Sequence, residues 1–421
     1  MSALPFFERS VSPEDAHETA RQEIARLECT LEISSHGFDP YRTHYVTLID
    51  SSETVVSRAS GKGRGEQGIL SGTFEAIEHY YSAGYTVAAD STRSSVLSTP
   101  QEIADQSALR EVRMIKSLAS DYPKASMGAV HLKRWDEDID DIDYPLFLFD
   151  AMYASNPLPG DKLEYRDYLG YQGSSGSAAG INDIDAVIHA VCEIIERDAF
   201  SLSLIDWFAS RQPEFRLINL ASLPSELHQL VEHARAAAGD VLLLEMTTEI
   251  GVPAFLAIQA EQEELIRLYG LGCSISSIHA VERALTELIQ GCHAATMDPD
   301  FERTWSTRLK KSSQWAFYHD IVKMNLEASL SRGMHITKDL DLVRTPDSAN
   351  STMRELISRL SRNNMKVYWR RISPPEAHVS VVSVAIPGLD SFCTAAMGSI
   401  ITPTSSRGWS QWTSAFDLQG V

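Results

Sequence analysis

The chain has 421 residues, with 57 Asp and Glu against 37 Lys and Arg, and a formal net charge of −20. A surface this acidic argues against nucleic acid or an anionic membrane as the main partner, because both call for basic residues. The apolar runs fall short of the roughly 20 residues of a membrane span, and Glu8 and Arg9 interrupt an N-terminus that lacks a signal-like apolar core. Five scattered cysteines without C-x-x-C spacing point to free thiols in a reduced, cytoplasmic setting.

Residues 12–30 are predicted to be helical. Ser12 suits the cap, Pro13 the first turn, and Glu14 and Asp15 the positive helix end. Residues 44–57 alternate and are rich in Val, Thr and Tyr, which predicts a strand. A glycine-rich loop at 61–65 precedes a helical period over 67–82. The acidic run 136–143 reads as a solvated loop and leads into a strand-like 146–152.

A second Gly/Ser loop, 173–180, precedes a helix at about 183–205. Residues 241–247 and 254–259 are predicted strands, joined by a turn holding Gly251 and Pro253. A third loop at 270–274 precedes a helix over 277–296. Helices are expected over 312–330 and 350–363, and strands over 365–371 and 379–385, with a Pro387-Gly388 turn after them. The tail has no strong pattern. Long helices mixed with scattered strands predict an α+β fold rather than strict βαβ alternation.

The three loop-then-helix segments share a pattern. Polar groups recur at i, i+4, i+7: Ser71, Glu75 and Glu78; His189, Glu193 and Glu196, with Asp185 a turn earlier; Arg283, Glu287 and Gln290. At about 3.6 residues per turn each set lies on one helix face. Beside each runs an apolar stripe, such as Leu70, Phe74, Ile77 and Tyr81, so the carboxylates flank a buried seam. Glutamates three apart repel each other, and such a pair is also the ordinary pattern of a solvated face. If the three faces converge, their carboxylates need cations. Hard oxygen ligands suit Mg²⁺, which brings phosphate oxygens with it. Arg197 and Arg283 are placed to meet phosphate, and Lys62 sits in a Gly-Lys-Gly loop. The constellation reads as a Mg–nucleotide site without a P-loop.

These residues resemble the YcaO family. Ser175 to Ala199, ending in Glu193-x-x-Glu196-Arg197, is similar to the family's central motif. Gly61-Lys62-Gly63 with Ser71, Glu75 and Glu78 is similar to its first motif. Gly270-Leu271-Gly272 with Glu282 to Gln290 is similar to its third, and Ile386-Pro-Gly-Leu389 to a turn near its C-terminus. The resemblance implies a YcaO-like α+β fold in which three glutamate-bearing helices converge on ATP and Mg²⁺. Residues 1–60 would form an N-terminal helix and strand region, 61–395 the core and 396–421 a tail.

By this resemblance Glu75, Glu78, Asp185, Glu193 and Glu196 hold Mg²⁺, and Lys62, Ser71, Asn182, Arg197, Arg283 and Glu287 surround ATP. Arg9 and Thr19 are the nearest candidates for further ATP contacts from the N-terminal region. Asp185 stands where the family usually has Glu, Asn182 is displaced by one position, and the proline-rich ending of many azoline-forming members is missing.

The implied reaction activates a backbone amide of a ribosomally made precursor peptide. A nucleophile attacks the carbonyl carbon, the amide oxygen takes the γ-phosphoryl group of ATP, and phosphate leaves with that oxygen. A Cys, Ser or Thr side chain then gives an azoline, sulfide a thioamide and an amine an amidine. Azoline-forming cyclodehydration is the first expectation, and thioamide formation with a TfuA-like partner the second. A non-catalytic peptide-binding subunit with a relic nucleotide site is a third. The family-like region occupies the chain, so a separate leader-binding, ubiquitin-activating-like or TfuA-like partner is implied. A homodimer is compatible with the resemblance.

Overall fold

The computed structural model of the chain describes residues 11–82, 95–137, 140–261, 265–343 and 346–419. In chain order it begins with α1 (Pro13–Arg26), β1 (Thr30–His36), β2 (Thr43–Ile49), β3 (Val55–Gly61) and α2 (Glu66–Ser82). There follow β4 (Ser95–Ser98), α3 (Pro100–Asp105), α4 (Arg113–Asp121), β5 (Met127–Arg134), β6 (Ile142–Pro145), β7 (Ser177–Gly180) and α5 (Asp183–Ala209). Next come β8 (Glu214–Ile218), α6 (Ser225–Ala238), β9 (Val241–Glu245), β10 (Ala254–Gln259), β11 (Tyr269–Cys273) and α7 (Ser277–Met297). The chain continues through α8 (Phe301–Ser312), α9 (Ala316–Lys323), α10 (Glu327–Arg332) and β12 (Met334–Lys338). It closes with α11 (Ala349–Arg362), β13 (Tyr368–Arg371), β14 (Ser380–Ala385) and α12 (Ser406–Gln419). The fold is α+β. Among the described residues no helix is long and apolar enough to cross a membrane.

The residues form two compact units. One comprises residues up to Arg110 with Ser117–Ile194 and Arg344–Pro387; the other comprises Glu111–Lys116, Ile195–Val343 and the chain from Gly388. The first unit holds an antiparallel β1-β2-β3 sheet and an antiparallel β4-β5-β13-β14-β7 sheet, with β6 paired to β5. Helix α2 buries its predicted stripe of Leu70, Phe74, Ile77 and Tyr81 in one cluster with Val46 and Leu48 of one sheet, Val381 and Ala179 of the other, and Val379 just before β14. Close approach is what its glycines provide: a Cβ on Gly61 would stand 1.9 Å from the Gly68 carbonyl oxygen.

Strand β7 is an edge strand with α5 running beside it. A Cβ on Gly180 would lie 2.5 Å from the Ala186 nitrogen, and one on Gly176 3.1 Å from Ile194 Cδ1. Asn182 starts α5 by accepting the Asp185 N–H on its side-chain oxygen at 2.9 Å, an ordinary N-cap.

The second unit is built on the sheet β11-β10-β9-β8-β12, in which β12 alone pairs in parallel, with β8. Every residue of β10 is buried, as its uninterrupted apolar run requires. Helix α7 lies on β11, where a Cβ on Gly272 would stand 2.0 Å from the Ala280 carbonyl oxygen.

Several sequence expectations are corrected. The strand expected over 44–57 is a hairpin, because Asp50 Oδ1 accepts the N–H of both Ser52 and Thr54 at 2.9 Å and turns the chain. The helix expected at 12–30 ends at Arg26, and β1 begins at Thr30. Leu146–Leu148 is a 3₁₀ turn and not a strand. Gly180 of the second expected loop lies in β7, and Gly270 and Gly272 of the third lie in β11. The helix expected over 312–330 is broken between α8, α9 and α10, with Met324 left-handed at φ 51°. The patternless tail forms α12.

Candidate functional site

In the first unit, α2 and α5 bring carboxylates together beside β7, whose residues are all buried. Glu78, half-buried on α2, accepts the backbone N–H of Ala179. Its carboxyl is pushed well above the usual carboxylate range, first by burial, then by the charge of Glu193 on α5, then by Glu75 one turn away. Glu75 is more open: its side chain is 42% exposed, with His79 Nε2 at 4.0 Å. Ser71 lies on α2 a turn before Glu75, and Lys62 follows the end of β3; both are half-buried. Asp185 is buried in the first turn of α5. It lies about 12 Å along the helix axis from Glu193, at roughly 1.5 Å per residue. The charges that act on Glu78 are those of Glu193 and Glu75. Asn182 serves α5 as its cap through its side-chain oxygen. Thr19 is turned to its own helix, its hydroxyl donating to the Asp15 carbonyl at 2.8 Å. Arg9 lies outside the described residues.

In the second unit, the continuation of α5 carries Glu196, whose side chain is 2% exposed, 3.6 Å from the guanidinium of Arg197. Arg197 and Glu287 gather around Tyr269, the first residue of β11. Burial raises the phenol of Tyr269, Arg197 and Arg308 oppose the rise, and Cys393 and Glu287 add to it. Arg283 lies over β11, its Cβ 2.9 Å from where a side chain on Gly272 would begin. Glu282, beside it, pairs with His279 at 3.2 Å. Tyr269 was not found from the sequence. Its only signal is an aromatic residue directly before Gly270 in the glycine-bearing strand. Asp198 was also missed, although it immediately follows Glu196 and Arg197.

Among the described residues no three His, Cys, Asp or Glu side chains close around a single metal position. Mg²⁺ keeps water and is held by one or two carboxylates together with phosphate oxygens, rather than by an all-protein cage, and Glu75, Glu78 and Glu193 are hard oxygen donors of that kind. The donor set fits in a second respect. Burial first, then the charges of Glu193 and Glu75, disfavour the ionised form of Glu78, and a cation joining the group would favour it.

The fold is α+β, with glutamates of α2 and α5 close enough for their charges to act on one another. The chain belongs to the YcaO family: residues 60–390 match the family described as YcaO cyclodehydratase, ATP- and Mg²⁺-binding. A heterocyclase solved in complex with substrate and cofactor superposes with a TM-score of 0.66 at 18% identity, over 92% of this chain and 54% of that one. YcaO from Methanopyrus kandleri, solved with AMPPCP and Mg²⁺, gives a TM-score of 0.63 at 19% identity, over 92% of this chain and 94% of that one. A protein of Rhizobium leguminosarum bv. trifolii, named only as uncharacterized in the tfuA 3′ region, is 27% identical over 52% of this chain and 53% of its own length. The chain thus matches about half the length of that relative.

Proposed function

We propose that the chain modifies backbone amides of a ribosomally made precursor peptide in a reaction dependent on ATP and Mg²⁺. The observation that carries the reading is the gathering of carboxylates around Glu78, whose carboxyl is pushed well above the usual range by burial first and then by the charges of Glu193 and Glu75. Glu75, Glu78, Glu193 and Glu196 are the residues to hold Mg²⁺, with Asp185 at the start of α5 as a further acidic ligand. Arg197 and Arg283 present planar forks suited to phosphate oxygens. Lys62, Ser71, Asn182 and Glu287 complete the nucleotide shell. When bound, ATP would supply the phosphoryl group that makes the amide oxygen a leaving group, and Mg²⁺ would neutralise phosphate charge.

Azoline formation by cyclodehydration is the first reading of the product, in keeping with the family description. The tfuA-region relative favours a second reading, thioamide formation with a TfuA-like partner. Either reading calls for a separate partner protein that presents the peptide.

Calorimetry of ATP binding, with and without Mg²⁺, tests the nucleotide reading on the native chain and on Glu193→Gln. Metal-dependent binding that the substitution abolishes supports it; binding indifferent to metal and to Glu193 overturns it. With a peptide and partner in hand, mass spectrometry separates the products. Loss of one water marks an azoline, and exchange of one oxygen for sulfur marks a thioamide.

A further inference from the structure

Glu196 and Arg197 are followed by a carboxylate with no exposure. Asp198 is 0% exposed, and a buried carboxylate costs several kcal/mol unless it is paired and hydrogen-bonded. The cation that meets it comes from the other end of the sequence. Arg407 Nη2 on α12 donates to Asp198 Oδ2 at 3.0 Å, while Arg407 Nε pairs with Glu249 at 2.8 Å. The second oxygen of Asp198 accepts the Asp390 N–H at 2.8 Å.

Asp390 is itself buried. Its carboxylate accepts the N–H of Phe392 at 2.8 Å, the N–H of Ser405 at 2.9 Å and the Ser405 hydroxyl at 2.6 Å. One turn further along α5, the Ser201 hydroxyl donates to the Arg197 carbonyl at 2.6 Å and accepts the Cys393 N–H at 2.8 Å. Gln411 reaches the Leu202 carbonyl at 3.2 Å. The segment from Asp390 to Gln411 is therefore sewn along the second half of α5 by groups that leave it little freedom to rotate. Successive helix residues point about 100° apart, so the angular setting of Asp198 sets that of Arg197.

We infer that Arg407 is a positioning residue: by holding Asp198 it fixes the rotation of α5 and so aims Glu196 and Arg197 at their ligands. This inference rests on the reading of Glu196 and Arg197 as part of a Mg–ATP site. Lysine at 407 would keep the charge, yet its single ammonium nitrogen replaces the two fork nitrogens that meet Asp198 and Glu249 separately, so the geometry of the contact changes.

The test is calorimetry of Mg–ATP binding by the full chain, with amide hydrogen exchange over residues 195–205. It compares the native protein, Glu193→Gln, Arg407→Lys and the double variant Asp198→Asn/Arg407→Gln, which removes both charges and retains a neutral hydrogen bond. Arg407→Lys is expected to weaken ATP binding about ten- to hundredfold, the scale of a roughly 1 Å misplacement, and to speed exchange in that segment. The double variant is expected to return close to native in both. Arg407→Lys binding ATP like the native chain, while Glu193→Gln does not bind, overturns the positioning role and leaves the nucleotide reading standing. Loss of affinity in both Arg407 variants with native exchange also overturns it, because Arg407 would then touch the nucleotide itself. A native chain without Mg-dependent ATP binding removes the nucleotide reading and this inference with it.

Discussion

Glu23 and His378 are joined across nearly the whole sequence: a carboxylate oxygen of Glu23, fully buried on α1, accepts the His378 backbone N–H at 2.6 Å. The same carboxylate pairs with Arg26 at 2.7 Å and accepts the Tyr81 hydroxyl from the end of α2. One side chain thus ties α1 to α2 and to the turn before β14. Burial alone would raise its pKa, but the hydrogen bonds from Arg26, Tyr81 and His378 outweigh burial and hold it below the usual value. A depressed folded-state pKa means that the stability Glu23 contributes is present above the ordinary carboxylate value of 4.5 and is lost as pH falls through the folded one. Glu23→Ala is expected to cost about 3–5 kcal/mol in urea unfolding at neutral pH. It should also flatten the acid limb of the stability profile. An unchanged acid limb would show that Glu23 is not the group being titrated.

Glu78 has the opposite sign. Its folded pKa is raised, so between the ordinary carboxylate value and the raised one the folded chain holds a proton the unfolded chain has lost. Without metal its contribution to stability therefore falls as pH rises through that window. Glu78→Gln is expected to raise the melting temperature of the metal-free protein above pH 4.5 and to weaken Mg-dependent ATP binding. A melting temperature lowered by the substitution would show that burial and the charges of Glu193 and Glu75 do not disfavour the ionised carboxyl of Glu78.

Gly272 separates a packing role from a phosphate-cradling one. A methyl group there would press to 2.0 Å on the Ala280 carbonyl oxygen and 2.6 Å on the Ala284 nitrogen, both backbone atoms of α7 that cannot swing aside. Gly272→Ala is expected to cost roughly 3 kcal/mol or more in denaturant unfolding without any nucleotide present. A variant with native stability and weakened ATP binding would instead make Gly272 part of the phosphate site.

Arg267 is only 2% exposed, and among the described residues its Nε and Nη1 have no hydrogen-bond acceptor. Burial pulls its pKa below the ordinary arginine value, and Glu327 only partly opposes this. Methionine of similar length removes the desolvated charge and keeps the packing, so Arg267→Met is expected to stabilise the fold by about 1–3 kcal/mol. Thermal melting checks this; a lowered melting temperature would show that the guanidinium serves the fold as it stands.

The glutamate-bearing helices were legible because their signal is local. A period of about 3.6 residues with flanking apolar stripes places Glu75 with Glu78, and Glu193 with Glu196, on shared faces whatever surrounds them. Ser12 as a cap follows from the same short-range logic, and it accepts the Asp15 N–H at 3.1 Å as its spacing predicts. The α+β character followed from the mixture of periods. The glycines misled because a glycine that lets a strand touch a helix and a glycine that opens a loop are the same residue in sequence.

By itself, then, the sequence determined which residues share a helix face, where those helices begin and which family the motifs belong to, because each of these is set within a few residues of chain. Only the tertiary structure decided that Glu193 is the carboxylate acting on Glu78, that Tyr269 stands by Arg197 and Glu287, and that Arg407 closes on Asp198. Those pairings depend on which strand edge and which helix meet across long separations, and nothing in the local pattern of side chains encodes a partner two hundred residues away.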